Sequence, residues 1–279
     1  MARTLKPPIN RIGGKHFLAS WIAEKMPGHT LYCEVFSGAG HLLFGKKPGQ
    51  IEVLNDVDNY LIGFFQVIKD HEKRQKLIET LRYMPYSRKL WQDLRHQWKT
   101  GNIPGDPIEQ ATQWLYLNRT TFAGDQRRGG FAVPSVTGRN PAQSFRASVD
   151  SFEGVAERLR NVTIECLDYR ECVRRYDSED SLFYIDPPYL SSGHYYNDSF
   201  TQDDHSGLTG LLHGVKGKVM VTHYQNDLYD ELYRDWQRYE YQSFKGSHKS
   251  DGEEKPKTTE VLYCNFRPEV RTRNLFEGV

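Results

Sequence analysis

The sequence predicts an α/β fold, an open and mainly parallel sheet into which a helical subdomain is inserted. Short apolar runs at residues 31–35, 51–56, 162–166 and 182–185 predict buried strands. Segments with helical periodicity separate these runs, which is typical of parallel strands joined by helices. Well over a hundred residues lie between the second run and the last, far more than one crossover needs, so we expect an insertion.

Composition indicates a chain with a sizeable core and little net charge. Of the 279 residues 38% are hydrophobic and 13% aromatic, which argues against disorder. The formal net charge is only +1, so a surface for nucleic acid has to be local. The four cysteines show neither CxxC pairing nor histidines at metal spacing, so we expect buried free thiols and no metal site. No segment has the length of a signal peptide or a membrane span, which predicts a cytoplasmic protein without membrane contact.

Helical periodicity predicts the elements of the insertion. Its helices are expected at residues 59–82, 87–99 and 107–122, followed by a hairpin or extended loop at 124–141. A helix at 148–159 then leads back into the sheet. After the fourth strand we expect a helix at 203–212 and further strands at 218–224, 239–244 and 259–266.

The four residues Asp186-Pro187-Pro188-Tyr189 follow the fourth apolar run. Prolines cannot donate to a sheet ladder, so the strand ends there and leaves a carboxylate at its end. Their extended backbone places the Pro187 carbonyl and the Tyr189 ring beside that carboxylate. Acceptors next to a ring suit a base with an exocyclic amine, such as adenine or cytosine. A strand that ends in a plain proline turn is the alternative.

Small and acidic residues end the other strands. The small residues of Phe36-Ser37-Gly38-Ala39-Gly40 would let a nucleoside lie against the backbone, whereas the spacing is not that of a phosphate-binding GxGxxG loop. Asp56 could accept hydrogen bonds from ribose hydroxyls, and Asp168 with Tyr169 could hold an adenine. Each of these two aspartates could equally cap the helix that follows it.

A Gly13-Gly14-Lys15 sequence opens the first helical pattern. Glycines before a helix allow a close approach of backbone to a ligand, and the amide-rich helix start with Lys15 favours a carboxylate. An ordinary loop-to-helix transition explains the same residues.

Arginines concentrate in residues 119–147. This stretch contains five arginines and a single acidic residue, Asp125, which gives a local net charge of +4. Because arginine neutralises phosphate and pairs bidentately with guanine, DNA contact is the leading interpretation, and a solvated charged loop is the alternative. The arginines are Arg119, Arg127, Arg128, Arg139 and Arg146, and Phe122, Phe131 and Phe145 lie between them.

Together these motifs resemble the DNA adenine-N6 methyltransferases of the Dam-like D12 class, over most of the chain. Lys15 matches the lysine of the family's Gly-Gly-Lys motif, and residues 36–40 match its Phe-x-Gly-x-Gly. Asp56 falls on the acid of its Leu-Asn-Asp, Asp168-Tyr169 on its Asp-aromatic pair, and residues 186–189 on its catalytic Asp-Pro-Pro-Tyr. Residues 116–122 and 131–134 resemble its target-recognition landmarks.

The resemblance implies a Rossmann-like sheet that binds S-adenosylmethionine (AdoMet), with a mainly helical target-recognition subdomain that contains a β-hairpin. Residues 1–60 and 148–279 would form the catalytic domain and residues 61–147 the DNA-reading subdomain. It implies catalytic roles for residues 186–189 and DNA contacts for Arg119, Arg127, Arg128 and Arg139. The implied cofactor-binding residues are Arg11, Lys15, Phe36, Ser37, Gly38, Gly40, Asp56, Asp168, Tyr169 and Asp186.

The implied substrate is duplex DNA, whose target base would be flipped out of the helix. We expect a monomer or weak dimer, and a cognate restriction endonuclease, if there is one, to act as a separate protein. Two departures from the family pattern matter. Arg11 stands where many relatives have an aromatic residue, and Ala132 where GATC-specific relatives commonly have Asn, so the recognition sequence stays open.

Three alternatives share some of these motifs. The same chemistry could act on RNA adenine or a protein amide, or on the N4 amine of cytosine. A catalytically inert DNA-binding relative is a different class, which bound AdoMet would argue against.

Overall fold

A computed structural model describes residues 5–11, 18–126, 128–136, 138, 140–190, 200–244 and 257–268. Its centre is a seven-stranded sheet with the strand order β3-β2-β1-β4-β5-β7-β6. The mixed α/β architecture predicted from the sequence is confirmed. The strands are β1 (Leu31–Glu34), β2 (Ile51–Asn55), β3 (Val162–Glu165), β4 (Ser181–Ile185), β5 (Lys218–Tyr224), β6 (Gln237–Phe244) and β7 (Lys257–Cys264).

Strands β1 to β5 run parallel, and β7 pairs antiparallel with both β5 and β6. The chain moves from β1 outward through β2 and β3, and then returns to place β4 on the other side of β1. The strand order therefore reverses between β1 and β4. In open α/β sheets ligands bind in the crevice outside the carboxyl ends of the strands at such a reversal.

Helices cover both faces of the sheet and fill the insertion. The helices are α1 (Ala19–Ala23), α2 (His41–Gly45), α3 (Asn59–Lys69), α4 (His71–Tyr83), α5 (Arg88–Lys99), α6 (Pro107–Thr120), α7 (Pro141–Asp150), α8 (Phe152–Leu159), α9 (Tyr169–Tyr176), α10 (Gln202–His213) and α11 (Asp227–Leu232). None of the helices in the described ranges is long and apolar enough to cross a membrane.

Two expected helices are each divided in the structure. The helix predicted over residues 59–82 breaks at Asp70, whose side chain accepts the Lys73 N–H and so starts α4 instead of continuing α3. The helix predicted over residues 148–159 is divided at Ser151, between α7, which Asn140 caps and Pro141 begins, and α8. The Ser151 hydroxyl donates to the Ser148 carbonyl at 2.7 Å at this break.

The expected hairpin is represented by one antiparallel bridge, between Thr121 and Phe131, in the part of 121–141 that the structure describes. Gly124 and Gly129 shape this loop, because a Cβ at Gly124 would lie 2.7 Å from the Asn10 carbonyl oxygen. The loop is thus tied to the N-terminal segment rather than to a long strand ladder.

The core has a layer on each face of the sheet. On one face, α9, α10 and α11 pack through residues such as Cys172, Leu208 and Tyr229. On the other face, the buried side chains of the sheet continue without interruption into the helices between β2 and β3, α3 to α8, through Phe64, Trp114 and others. These helices therefore share the hydrophobic core of the sheet.

Candidate active site

A cavity of about 1040 Å³ opens where the strand order reverses. One end is lined by the segments that follow β1, β2, β3 and β4, and Asp186 lies beside the loop after β1. Helices α5 and α6 also line the cavity, through Arg95 and Trp98 of α5 and Trp114 of α6. The separate motifs of the sequence thus meet in one space, as the carboxyl ends of parallel strands require.

The loop after β1 owes its shape to its glycines. Gly38 and Gly40 have φ angles of 49° and 71°, in the left-handed region that other residues rarely adopt. A Cβ at Gly40 would also lie 3.1 Å from the Phe44 ring. The loop can therefore turn sharply and expose its backbone to the cavity.

Asp56 anchors this loop from the end of β2. Its carboxylate accepts the Gly38 N–H at 2.8 Å and the Asp58 N–H at 3.0 Å, and it is only 8% exposed. Burial raises the pKa of Asp56, and the positive charge of Arg11 opposes that shift. Asp56 thus holds the backbone of the loop after β1 by hydrogen bonds, and it also lines the cavity.

Arg11 is held in place by the next acid along the chain. Its guanidinium donates to Asp58 Oδ2 at 3.1 Å, while Asp58 Oδ1 caps α3. The aliphatic part of Arg11 packs on Gly38, 3.6 Å from where a Cβ would be. An arginine in this place is therefore fixed at the cavity wall. Lys15 lies outside the described residues, and its predicted role stays a prediction.

Asn55 was not predicted as a site residue, although it precedes Asp56. It is 1% exposed and donates to the Val35 and Leu167 carbonyls, while its own oxygen accepts the Leu167 N–H. One amide thereby joins the ends of β1, β2 and β3. The signal in the sequence was a polar residue in the last position of an apolar strand.

Three aromatic side chains form one wall of the cavity. Phe36, Tyr169 and Phe200 contact one another with ring centroids 5.6 to 5.8 Å apart. Phe200 was not predicted, because only the fold brings it to the other two rings. Asp168 caps α9 by accepting the Arg170 N–H and also pairs with the Arg170 guanidinium. Both interpretations of Asp168 are thus compatible with its position at the cavity wall.

The cavity carries polar groups that a ligand could satisfy. Within the described ranges, Ser37 Oγ and Tyr169 Oη are buried without a hydrogen-bond partner. The strand ends supply the carboxyl groups of Asp56 and Asp186, which favour a positively charged ligand. Glu34 also lines the cavity, but burial raises its pKa to about 8, so this carboxyl group is uncharged at neutral pH. Nearby Asp186 adds to that shift.

Asp186 is fixed from the neighbouring strand. The Thr222 hydroxyl donates to Asp186 Oδ1 at 3.0 Å, and the Tyr184 hydroxyl lies 2.9 Å from the same Thr222 oxygen. Pro188 lines the cavity next to Asp186. The carboxylate predicted at a strand end is therefore at the cavity, with one oxygen held by a hydrogen bond.

Tyr189 lies deeper than the sequence indicated. Its side chain is 8% exposed, its hydroxyl donates to Glu260 Oε2 at 3.0 Å, and its ring packs on His223 at 4.3 Å. Among the described residues, the cavity wall includes Pro188 but not Tyr189. Stacking of a base on the Tyr189 ring stays a prediction.

The arginine-rich segment divides into inward and outward side chains. Arg119 donates to Asn10 and to the Ser144 carbonyl, and burial lowers the pKa of its guanidinium to about 10. Arg146 donates to two backbone carbonyls after α4. These contacts brace the helices around α6, and the DNA contact predicted for Arg119 stays a prediction. Phe145 is wholly buried, so the basic and aromatic surface predicted there is smaller than expected.

Arg128 is exposed, and its backbone N–H bonds to Asp125. Phe122 nearby is 53% exposed. Arg127 and Arg139 lie outside the described residues, so their predicted DNA contacts remain predictions.

An open α/β sheet with glycines and acids around a cavity at its switch point defines a class of enzymes that bind a nucleoside-like ligand. Within that class, residues 12–246 match the family model of the D12 class N6 adenine-specific DNA methyltransferases, and the chain belongs to this family. The membership predicted from the motifs is thereby confirmed. A search of curated proteins gives no match.

Proposed function

We propose that the protein transfers a methyl group from AdoMet to the N6 amine of adenine in duplex DNA, at the cavity between β1 and β4. The observation that carries this assignment is the position of Asp186 and Pro188 in the same cavity as the glycine loop and Asp56. Membership of the D12 class supports adenine methylation of DNA. The residue roles below are our proposals.

The cavity fits AdoMet by the chemistry of its walls. AdoMet supplies a methyl group on a positively charged sulfur, and its ammonium and ribose hydroxyls are hydrogen-bond donors. The carboxyl groups of Asp56 and Asp186 suit those charges and donors, and the buried Ser37 hydroxyl lacks a partner in the described chain. The aromatic wall offers an apolar face for an adenine ring.

Asp186 and the Pro187 carbonyl would act on the acceptor base. The adenine amine is conjugated with its ring and is therefore a poor nucleophile. Two hydrogen bonds from the amine to these acceptors would orient its lone pair toward the methyl group and draw the nitrogen toward tetrahedral geometry. The carboxylate of Asp186 would accept the proton that N6 loses when it takes the methyl group that AdoMet supplies.

The target base in a duplex is stacked out of reach, so we propose that it is flipped into the cavity. Residues 61–147 would read the DNA, while residues 1–60 and 148–279 carry out the transfer. Support comes from α5 and α6, which lie within residues 61–147 and contribute side chains to the lining of the cavity. We place this activity in the cytoplasm, with a cognate endonuclease, if one exists, as a separate protein.

The function is tested by incubating the purified protein with AdoMet and duplex DNA from a methylation-free host, followed by sequencing that detects modified bases. We expect N6-methyladenine within one short sequence motif. N4-methylcytosine as the product, or methylation of RNA in place of DNA, would overturn the assignment.

Asp56→Ala is expected to weaken AdoMet binding by about 1–3 kcal/mol, the range for loss of charge-assisted hydrogen bonds. The physical reason is twofold, because Asp56 faces the cavity and also holds the Gly38 N–H. Calorimetry measures the dissociation constant. Asp150→Ala, at an exposed position on α7, is the control, and a parental dissociation constant in Asp56→Ala would remove Asp56 from the site.

Arg127, Arg128 and Arg139 are each expected to contact DNA. If an arginine contacts a phosphate, its change to Ala should weaken binding to all DNA sequences alike and should lower the slope of log K against log salt concentration by about one. If it contacts a guanine, the change should weaken binding by about 1–3 kcal/mol, and only on the cognate site. AdoMet affinity should not change. Binding to cognate and scrambled duplexes across a salt series distinguishes the two roles.

The matched control is Arg174→Ala, an exposed arginine on α9 on the opposite side of the sheet from the insertion. We expect it to bind DNA like the parent. If all three variants of the insertion also behave like the parent, these arginines are solvated surface and DNA is read elsewhere.

A further inference from the structure

Both ends of the segment 186–190 are held by two adjacent residues of β5. Strand β5 pairs in parallel with β4 and places Val221 opposite Ile185, so the next residues of the two strands also meet. Those residues are Thr222, beside Asp186, and His223, beside the end of the segment. Neither was predicted as a site residue, because the sequence indicated only a buried strand there.

Thr222 orients the carboxylate at the start of the segment. Its hydroxyl donates its one proton to Asp186 Oδ1, so the Tyr184 hydroxyl at 2.9 Å has to be the donor to the Thr222 oxygen. Burial raises the pKa of Tyr184, which keeps that proton on the tyrosine. The result is a directed chain of hydrogen bonds from Tyr184 of β4 through Thr222 of β5 to Asp186, which follows β4.

His223 holds the end of the segment. Its Nδ1 lies 2.8 Å from the Tyr224 carbonyl oxygen, which can only accept, so Nδ1 carries the proton. Its Nε2 then has a lone pair for the Leu190 N–H, at 3.3 Å. The ring also packs on Tyr189 and stacks on Tyr229 with centroids 3.9 Å apart. Within the described chain, these bonds define a neutral histidine in one tautomer.

We propose that Thr222 and His223 are positioning residues for methyl transfer, which fix residues 186–190 in the geometry that the acceptor amine needs. Neither side chain lines the cavity among the described residues, so neither is expected to touch AdoMet or the base. Their effect would pass through Asp186 and through the backbone that follows Tyr189. This inference rests on the proposed function, since it assigns an arrangement and not a new reaction.

The expected loss of methylation rate depends on how accurately the reacting groups have to be oriented. A displacement of about 1 Å in a reacting group can cost roughly 100-fold in rate. Loss of the Thr222 hydroxyl frees one carboxylate oxygen to rotate, whereas loss of the His223 acceptor releases one backbone N–H. We therefore expect each change to slow the chemical step about 10- to 100-fold and to leave AdoMet binding nearly unchanged.

The test compares variants that separate the hydrogen bond from packing. Thr222→Val keeps the shape and removes the hydroxyl, whereas Thr222→Ser keeps the hydroxyl. His223→Phe keeps an aromatic ring for stacking and removes the Nε2 acceptor, whereas His223→Gln offers an acceptor without a ring. Single-turnover methylation on cognate DNA, AdoMet affinity by calorimetry and the melting temperature are measured for all four.

We expect slow single turnover in Thr222→Val and His223→Phe, with AdoMet dissociation constants within about twofold of the parent, and substantial recovery in Thr222→Ser and His223→Gln. Parental rates in the Val and Phe variants would overturn the inference. So would slow variants whose AdoMet binding and melting temperature fall in parallel, since that pattern indicates a purely structural role. An inactive parent protein would instead count against the proposed function.

Discussion

Asp186→Ala is expected to lower the single-turnover rate of DNA methylation about 10²- to 10⁴-fold, the range for loss of a positioned group that acts on the reacting proton. The variant should keep much of its AdoMet affinity, because Asp186 is one of several carboxyl groups at the cavity. It loses the hydrogen bond from the Thr222 hydroxyl, and it should also fold, because β4 ends before residue 186. Rates are measured on duplex DNA that contains the cognate motif.

Asp150→Ala is the control for this experiment also, because it removes an exposed aspartate far from the cavity wall. A parental rate in Asp186→Ala would show that the Asp-Pro-Pro-Tyr segment is a structural turn. Loss of AdoMet binding together with activity would place Asp186 in the cofactor site alone.

Glu34 is expected to make the stability of the protein fall as the pH rises from 6 to 9. Its side chain is 2% exposed and accepts the Tyr32 hydroxyl and the Leu43 N–H, each at 3.0 Å. Burial raises the pKa of Glu34 in the folded state to about 8, from an ordinary value of 4.5. The folded state therefore binds this proton more tightly than the unfolded state does.

The direction of the effect follows from that difference. The stabilising contribution is complete below about pH 4.5 and is lost as the pH rises through about 8, where the folded protein has to ionise a buried carboxyl group. Between pH 6 and pH 9 the free energy of unfolding should fall by roughly 2–3 kcal/mol from this group. Urea unfolding at several pH values measures it.

Glu34→Gln removes the ionisable group and keeps an oxygen that can accept the Tyr32 and Leu43 bonds. We expect this variant to lose most of the difference in stability between pH 6 and pH 9. Glu157→Gln, at an exposed position on α8, should keep it. An unchanged pH dependence in Glu34→Gln would mean that Glu34 is ionised in the folded protein at neutral pH.

The sequence predicted the elements whose signals are local. Apolar runs marked all seven strands to within a few residues, and the order of helices and strands predicted the open sheet. The prediction of one helix over residues 59–82 was wrong because it relied on periodicity alone. Asp70 caps a new helix, α4, within this continuous periodic pattern. The arginine-rich segment shows the same limit, since composition cannot tell that Arg119 and Arg146 point inward.

The predicted site residues also differ in how far the structure brings them together. Phe36, Asp56, Asp168 and Asp186 line one cavity, as their common position at strand ends predicted. Tyr189 packs behind it, on His223 and Glu260. The partners came from β5 and β7, which lie far along the chain from the motif, and no local pattern ties them to it.

By itself, the sequence determined the family, the fold class and the acids and glycines at the strand ends, because these depend on short-range patterns of polarity and backbone freedom. Only the tertiary structure decided which side chains support them. Asn55 joins three strand ends, Thr222 and His223 hold residues 186–190, and Phe200 completes the aromatic wall. These contacts depend on strand order and register, which bring together residues that are distant in the chain.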